Sequence, residues 1–590
     1  MAGSNVAQGL LRAAQAYSDE IAAQTLCEQG TSLVREVKWS QVLDQAKSVA
    51  AVLKSLVQPR DRVVILGPNS EAYLEVLYGC CLADAVAVPL NTRWTSSELL
   101  HAIIDSECSV LVASSHEWYI RAQTELLIGP GAPPGIKAVV EFSHAPASHL
   151  LVSSRSISQS SAPDEAVSLE LAGKEVVDSS PRSSGCLSEL EDAMAIVYTS
   201  GTTSKPKGVI TTHSSQTVQA LGKIAHVGYS SSSVFLNVVP LFHVGGISST
   251  LAITMAGGRH LFLNKFDAKA AVAGTQTGHV NLLVVVPAML RMMLSQLTDC
   301  AVNHLKGVTT VLVGGQGMPT ELYEKARRAM PNASFTQSYA CTEAGSSMTY
   351  QRVRCGEEAR QMGHLRGVLV GEAALFAQLR IAPLDPEEAQ NRGHFEGQGL
   401  QVATEMTSET IGEIETRGLH VMRGYWKQPE LTSRVLHDGW LKTGDMGWLE
   451  NGVFYLAGRI KDMIITGGEN VFAAEVEQAL SQHSAVAEVA VYGTPDETLG
   501  EVVTAAVTLA SEKGSMCQNH SQSQRRCGTH QGDIDERSDV VIELDRHCRR
   551  YLSGYKCPRR WHIVDDLPRN SSGKVLKRFL PGASGGPSSL

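Results

Sequence analysis

The sequence predicts an α/β fold: a large N-terminal domain of layered sheets flanked by helices, followed by a small α+β C-terminal domain. Three observations carry this. Short apolar β-branched runs alternate with helical stretches through the first three-quarters of the chain, the pattern of mostly parallel sheets covered by helices. At 590 residues the chain is long enough for more than one core. And one polar loop, rich in hydroxyls and lysine, lies between two apolar runs.

The elements follow in order. Arg62–Leu66 is apolar and β-branched and reads as a strand; Glu71–Ala83 has helical length and composition; Val110–Ala113 reads as a strand. Phe235–Val239, His260–Leu263, Leu282–Val286 and Thr310–Val313 read as further buried strands. Ala288–Leu297 and Thr320–Met330 read as helices between them.

The polar loop, Tyr198 to Val209, reads Tyr-Thr-Ser-Gly-Thr-Thr-Ser-Lys-Pro-Lys-Gly-Val. The run Met194–Val197 leads in and Val209–Thr212 leads out, giving strand, loop, strand. Backbone N–H groups and hydroxyls can wrap phosphate oxygens while lysine supplies counter-charge. A Walker A loop is excluded, because the order is Lys207-Gly208 and a strand follows. The plainer reading is a Ser/Thr/Gly-rich surface linker.

Composition narrows the class. The hydrophobic fraction of 43% is globular, and the net charge of −9 with no long basic run argues against nucleic acid as a partner. No apolar stretch is long enough for a transmembrane segment. Twelve cysteines form no dense framework, and pairs such as Cys80-Cys81 sit in apolar contexts, so reduced thiols in an intracellular compartment are expected.

The loop resembles the signature of the adenylate-forming enzymes, which include acyl-CoA ligases, firefly luciferase and the adenylation domains of peptide synthetases. Their usual form has glycine where this chain has Ser204. The resemblance continues in order along most of the chain. Phe242-His243-Val244-Gly245-Gly246 is similar to the segment lining the acyl pocket, which implies that His243 gates it. Gly314-Gly315-Gln316-Gly317 is similar to the turn lining the adenine pocket. Tyr339-Ala340-Cys341-Thr342-Glu343 resembles Tyr-Gly-x-Thr-Glu, implying Tyr339 against adenine, Thr342 on the α-phosphate and Glu343 on Mg²⁺; Ala340 replaces the usual glycine. Thr443-Gly444-Asp445 implies that Asp445 grips the ribose hydroxyls. Gly458-Arg459-Ile460-Lys461-Asp462 resembles the family's domain junction, with Arg459 on the nucleotide and Lys461 at the hinge. Ile464–Val471, with Gly467 and Gly468, resembles the loop beside the coenzyme A tunnel. Leu567–Lys574 resembles the loop carrying the adenylation lysine, Lys574. Thr199, Ser200, Gly201, Thr202, Thr203 and Lys207 take the phosphate-binding role.

The resemblance implies domains over 1–460 and 461–590, the second one mobile, and ATP, Mg²⁺ and coenzyme A as cofactor and co-substrates of a small carboxylic acid. It implies attack of the carboxylate on the α-phosphate, release of pyrophosphate, then capture of the acyl-adenylate by a thiol. Thr342-Glu343-Ala344-Gly345-Ser346-Ser347 and Ile465–Phe472 look like the plant branch of the 2-succinylbenzoate–CoA ligases. The rivals are 4-coumarate-like and medium-chain acyl-CoA ligases and, in another class, a degenerate nucleotide-binding scaffold that Ser204 and Ala340 would suit.

Three stretches break the pattern. Ser143–Ser188 is dense in serine and is expected to contain an exposed loop, and Pro383–Glu405 is polar and patternless. Ser511–Asp539 reads as a disordered insertion. Its Cys517-x-x-His520 and Cys527-x-x-His530 pairs have zinc-ligand spacing, but no surrounding apolar pattern fixes a site, so a solvated insertion is expected. Residues 581–590 read as a flexible tail ending in Ser588-Ser589-Leu590, which resembles a variant peroxisomal address; chloroplast and cytoplasm are the alternatives.

Overall fold

The computed structural model describes residues 5–126, 133, 135–142, 149–154, 167–170, 190–199, 206–297, 305–353, 367–383, 411–510, 539–569 and 575–583. The chain divides into two compact units: one of Met1–Ala359, Val370–Leu379 and Glu415–Thr443, the other of Arg360–Leu369, Arg380–Ile414 and Gly444–Leu590.

In the first unit one sheet runs, side by side, through Gly424–Tyr425, Lys207–Thr212, Ala193–Thr199, Val86–Pro89, Arg62–Leu66, Val110–Ala113 and Ala138–Phe142, then His149–Ser154 and Val167–Glu170. The central strands pair in parallel, with Val63 opposite Ala87 and Val110, and Ala87 opposite Ala195. They are buried on both faces, so they read as apolar runs rather than alternating ones. The last two strands fall inside the serine-rich stretch where an exposed loop was expected. There Val139 to Phe142 pair antiparallel with Ser153 to Leu150, so sheet extension claims part of that stretch.

A second sheet runs through Thr349–Val353, Ser334–Tyr339, Thr310–Val313, Leu282–Val285, Val234–Asn237, Arg259–Phe262, Ile21–Leu26 and Leu33–Lys38. From Ser334–Tyr339 to Ile21–Leu26 every pairing is parallel. Parallel strands end on the same edge, and in open α/β sheets ligands sit at that carboxyl edge. The expected strands are found within a residue or two. Thr310–Val313 is as expected, whereas Val234–Asn237 stops before the turn at Pro240 that leads to His243.

Between the sheets lies a continuous core that includes Trp39, Tyr73, Tyr78, Phe235 and Phe262. The helix Glu71–Leu82 is buried on nearly every side, which explains its near-uniform apolar sequence. The helix His213–Val227 begins where the Thr212 hydroxyl accepts from the Ser215 N–H at 3.1 Å and ends at Gly228, φ +87.

The second unit is α+β. Glu469–Phe472, Met463–Thr466, Gly500–Leu509 and Val486–Asp496 form an antiparallel sheet with Arg560–Ile563 added parallel to Gly500–Leu509. The helices Ala473–Ser481 and Asp539–Tyr551 cover it through Val476, Leu480, Leu544 and Cys548. Two expectations need correcting here. Asp539 opens a helix rather than closing an insertion, and Pro581 to Ala583 are not a loose tail. The Pro581 carbonyl accepts from the Tyr492 hydroxyl at 2.8 Å, and Ala583 packs with Leu567 and Leu580. The remaining residues of both segments, the Cys/His pairs and most of 383–405 lie outside the described residues.

Candidate active site

Most of the first unit's expected residues lie at the ends of its strands or just beyond them. Thr199 ends its strand and Lys207 starts the next, opposite it in register. The loop is thus shorter than its sequence suggested, with Ser200, Gly201, Thr202 and Thr203 outside the described residues. His243 precedes the helix Val244–Ala256, Gly315 (φ +82) and Gln316 follow Thr310–Val313, and Tyr339 ends Ser334–Tyr339. Thr342 and Glu343 form a single 3₁₀ turn just beyond Tyr339. Ala340 is outside the left-handed region, so its methyl imposes no backbone strain there.

Lys207 and Glu343 are joined by a residue the sequence reading missed. Tyr425 lies on the short strand Gly424–Tyr425, which pairs with Lys207–Thr212. The Tyr425 hydroxyl donates to Glu343 Oε1 at 2.8 Å, and its ring lies under the Lys207 ammonium, 5.6 Å from Nζ to the centroid. Burial and the Glu343 charge push the phenol pKa upward, so it remains a donor. The Met422 N–H donates to the Glu343 carbonyl at 2.8 Å, fixing the turn. Glu343 thus presents a carboxylate with one oxygen already oriented. Among the described residues no group of three His, Cys, Asp or Glu side chains is placed to hold a metal. A hard cation here would take Glu343 as its protein ligand and complete its shell with phosphate and water, as Mg²⁺ does.

His243 is partly buried, with Nε2 fully shielded and without a hydrogen-bond partner. Its ring packs edge-on against Phe242, centroids 4.7 Å apart. Burial and the nearby Arg93 guanidinium lower its pKa to about 4, so it is neutral near pH 7. Arg93 follows the strand Val86–Pro89 and was not foreseen. Nor was Asn69, which ties the two sheets together: Nδ2 donates to the Val239 carbonyl at 2.9 Å and Oδ1 accepts from the Leu241 N–H at 3.0 Å.

A buried polar cluster was also unforeseen. Gln219 Nε2 donates to the carbonyls of Ala344 and Ser347 at 3.1 and 3.0 Å, and its Oε1 accepts from Ser346 at 2.9 Å. Lys223, one turn on and 1% exposed, donates to Ser248 Oγ at 2.9 Å and to Ser346 Oγ. The sequence held a signal for this. His213, Gln216, Gln219 and Lys223 recur at helical spacing, and all four are buried.

In the second unit, Asp445 and Arg459 belong to motifs well apart in sequence but face each other across the hairpin of Trp440–Glu450 and Val453–Arg459. Arg459 Nε is 3.1 Å from Asp445 Oδ1; the carboxylate is buried and the guanidinium is partly exposed. The Gly444 N–H donates to Glu413 at 2.9 Å, holding the turn into Asp445. Lys461 sits in the 3₁₀ turn Ile460–Asp462, its pKa lowered first by burial. Gly467 (φ +59) and Gly468 (φ +83) form the two-residue turn between Met463–Thr466 and Glu469–Phe472. Two successive positive φ values explain both glycines. Lys574 lies outside the described residues.

Comparison with known proteins accords with this geometry. Residues 10–426 match the model of the AMP-binding enzyme family, and 475–574 match that of the AMP-binding enzyme C-terminal domain. The chain is 31% identical over 558 residues to a 2-succinylbenzoate–CoA ligase, chloroplastic/peroxisomal, of Arabidopsis thaliana, covering 91% of this chain and 90% of the relative. It is also 31% identical over 529 residues to a feruloyl-CoA synthase of an Amycolatopsis species, covering 88% of each. Among solved structures, the o-succinylbenzoate CoA synthetase of Bacillus subtilis in complex with its acyl-adenylate intermediate aligns with TM-score 0.71 and 24% identity, over 98% of both chains. An anthranilate CoA ligase in complex with anthranoyl-AMP aligns with TM-score 0.74 and 20% identity, over 98% of this chain and 96% of the other. The chain belongs to the AMP-binding enzyme family and has the adenylate-forming fold.

Proposed function

We propose that this protein is an ATP-dependent acid–CoA ligase acting on 2-succinylbenzoate. The observation that carries the chemistry is the Lys207–Tyr425–Glu343 arrangement, supported by the Asp445–Arg459 pair in the second unit. The likeness to 2-succinylbenzoate–CoA ligases from a plant and from Bacillus supports the substrate.

A carboxylate resists nucleophiles, so it must first become an acyl-adenylate. One of its oxygens attacks the α-phosphorus of ATP, the bond to the β-phosphate oxygen breaks, and pyrophosphate leaves. Charge gathers on phosphate oxygens, and catalysis is largely positioning and electrostatic stabilisation. Lys207 and the Thr199–Thr203 hydroxyls and N–H groups take the phosphates, and Thr342 takes the α-phosphate. Mg²⁺ at Glu343 would supply further positive charge. Tyr339, Gly315 and Gln316 border the adenine, Asp445 accepts from the ribose hydroxyls with Arg459 beside it, and neutral His243 borders the acyl group. In the second half-reaction the coenzyme A thiolate attacks the acyl carbon and AMP leaves. A thiol of pKa about 8.5 needs no strong dedicated base near neutral pH. Gly467 and Gly468 border the pantetheine path, and Lys461 is the hinge between domains 1–460 and 461–590.

The feruloyl-CoA synthase is as similar in identity as the plant ligase, so a 4-coumarate-like acid is the second reading. The plant relative's printed location and the Ser588-Ser589-Leu590 terminus support a peroxisomal address. Pyrophosphate release and thioester formation with 2-succinylbenzoate, 4-coumarate and octanoate test the reading. Selective turnover of the first is expected. Selective turnover of 4-coumarate moves the assignment, and no pyrophosphate with any acid favours a non-catalytic scaffold. Lys574→Ala should abolish adenylate formation yet spare thioester formation from supplied acyl-adenylate; equal loss of both would remove Lys574 from its role.

A further inference from the structure

Lys223 is a buried cation without a counter-ion. Its side chain is 1% exposed, and both partners of Nζ are neutral hydroxyls, Ser248 and Ser346. Among the described residues it makes no ion pair. Burial alone lowers its pKa to about 7, with no carboxylate contributing. Burying an unpaired ammonium costs several kcal/mol. As a mere strut between two serines, a neutral side chain of similar length would serve at lower cost.

Its position shows what could compensate. Ser248 lies on the helix that begins immediately after His243, five residues along, a rise of about 7.5 Å. Ser346 lies three residues beyond Glu343. Lys223 therefore bridges the two elements that present His243 and Glu343. Arg93, whose charge reaches His243, adds a second cation on the same side. The one carboxylate on these elements, Glu343, accepts from Tyr425. The elements that carry His243 and Glu343 are thus tied together by a cation, and the two serine hydroxyls can turn to donate as well as accept.

We infer that Lys223, with Ser248 and Ser346, binds a second carboxylate on the acid, the one that is not activated, and so selects dicarboxylic acids. This rests on reading the His243 side as the acyl pocket. Entry of the anion completes the ion pair that the empty cluster lacks, and a monocarboxylic acid leaves the ammonium uncompensated.

The test compares kcat/KM for 2-succinylbenzoate with that for 4-oxo-4-phenylbutanoate, which keeps the activated arm but lacks the ring carboxylate. Lys223→Met should lower the ratio of the two by about a hundredfold, with the loss carried by KM for the diacid. Ser346→Ala keeps the ammonium and should lower the ratio about tenfold; it decides the matter if Lys223→Met fails to fold. An unchanged ratio in the folded variants, with wild type preferring the diacid, overturns the role of Lys223 alone. Wild-type preference for the monoacid overturns the substrate reading and this inference together.

Discussion

Two lysines in the first unit connect to the same short segment, Glu343 to Ser346, and are held by opposite means. Lys207 is at the rim, partly exposed, over the face of Tyr425, at the end of a loop whose composition announces phosphate binding. Lys223 is fully buried and held by hydroxyls. The first is reached by water and lies over an aromatic face; the second is held where a charge is expensive until an anion arrives. In the proposed function a rim cation serves the phosphates of ATP, which are common to every acid. A buried cation can discriminate between acids, because its unmet demand differs from one acid to the next.

The comparison breaks most visibly at the rim. Lys207→Met is expected to lower kcat/KM for every acid by about 10²–10³-fold, the scale of removing one group that stabilises transition-state charge. Steady-state pyrophosphate release across an acid panel checks this, and a loss confined to one acid would erase the distinction between the two lysines. Next is Gly345→Ala. Gly345 has φ +77, and an added Cβ would lie 2.6 Å from Gln219 Nε2. The strain should destabilise the protein by about 1–3 kcal/mol and loosen Ser346 from Gln219. Denaturant unfolding reads the first effect, and a reduced diacid preference reads the second.

Tyr425→Phe should cost about tenfold in kcat/KM and raise the Mg²⁺ concentration needed for half-maximal rate, because Glu343 loses the donor that orients it. A Mg²⁺ titration at saturating ATP measures it; an unshifted midpoint would detach Tyr425 from metal binding. A further effect is in stability against pH. The unfolded chain holds the Lys223 proton up to its ordinary 10.5, whereas the folded chain releases it at about 7. Between those values the unfolded state carries one more proton, so raising the pH stabilises the fold, by at most about 1.4 kcal/mol per pH unit. Below pH 7 both states are protonated and the slope vanishes. Unfolding free energies at pH 7, 8 and 9 should rise more steeply in wild type than in Lys223→Met. By contrast, His243, with a pKa of about 4, should add no ionisation to the rate profile between pH 6 and 8.

Legibility in the sequence followed chemistry that is local. The strands Arg62–Leu66, Val110–Ala113 and Thr310–Val313 were readable because doubly buried parallel strands must be apolar throughout. Thr199, Lys207, Glu343 and Asp445 were nominated as candidates because each lies in a contiguous motif. Tyr425 and Arg93 were not, since each follows or forms a short strand with no pattern of its own. His149–Ser154 and Val167–Glu170 were missed because serine-rich composition outweighed their short apolar cores.

By itself, then, the sequence determined the layered α/β architecture and the order of the family's motifs, because burial periodicity and contiguous polar motifs are written locally. Only the tertiary structure decided that Asp445 faces Arg459, that Tyr425 links Lys207 to Glu343, and that Lys223 is a buried cation between Ser248 and Ser346. Those are meetings of residues distant along the chain. A lysine on a helix looks the same in sequence whether it meets water or a dry wall, and only packing fixes which.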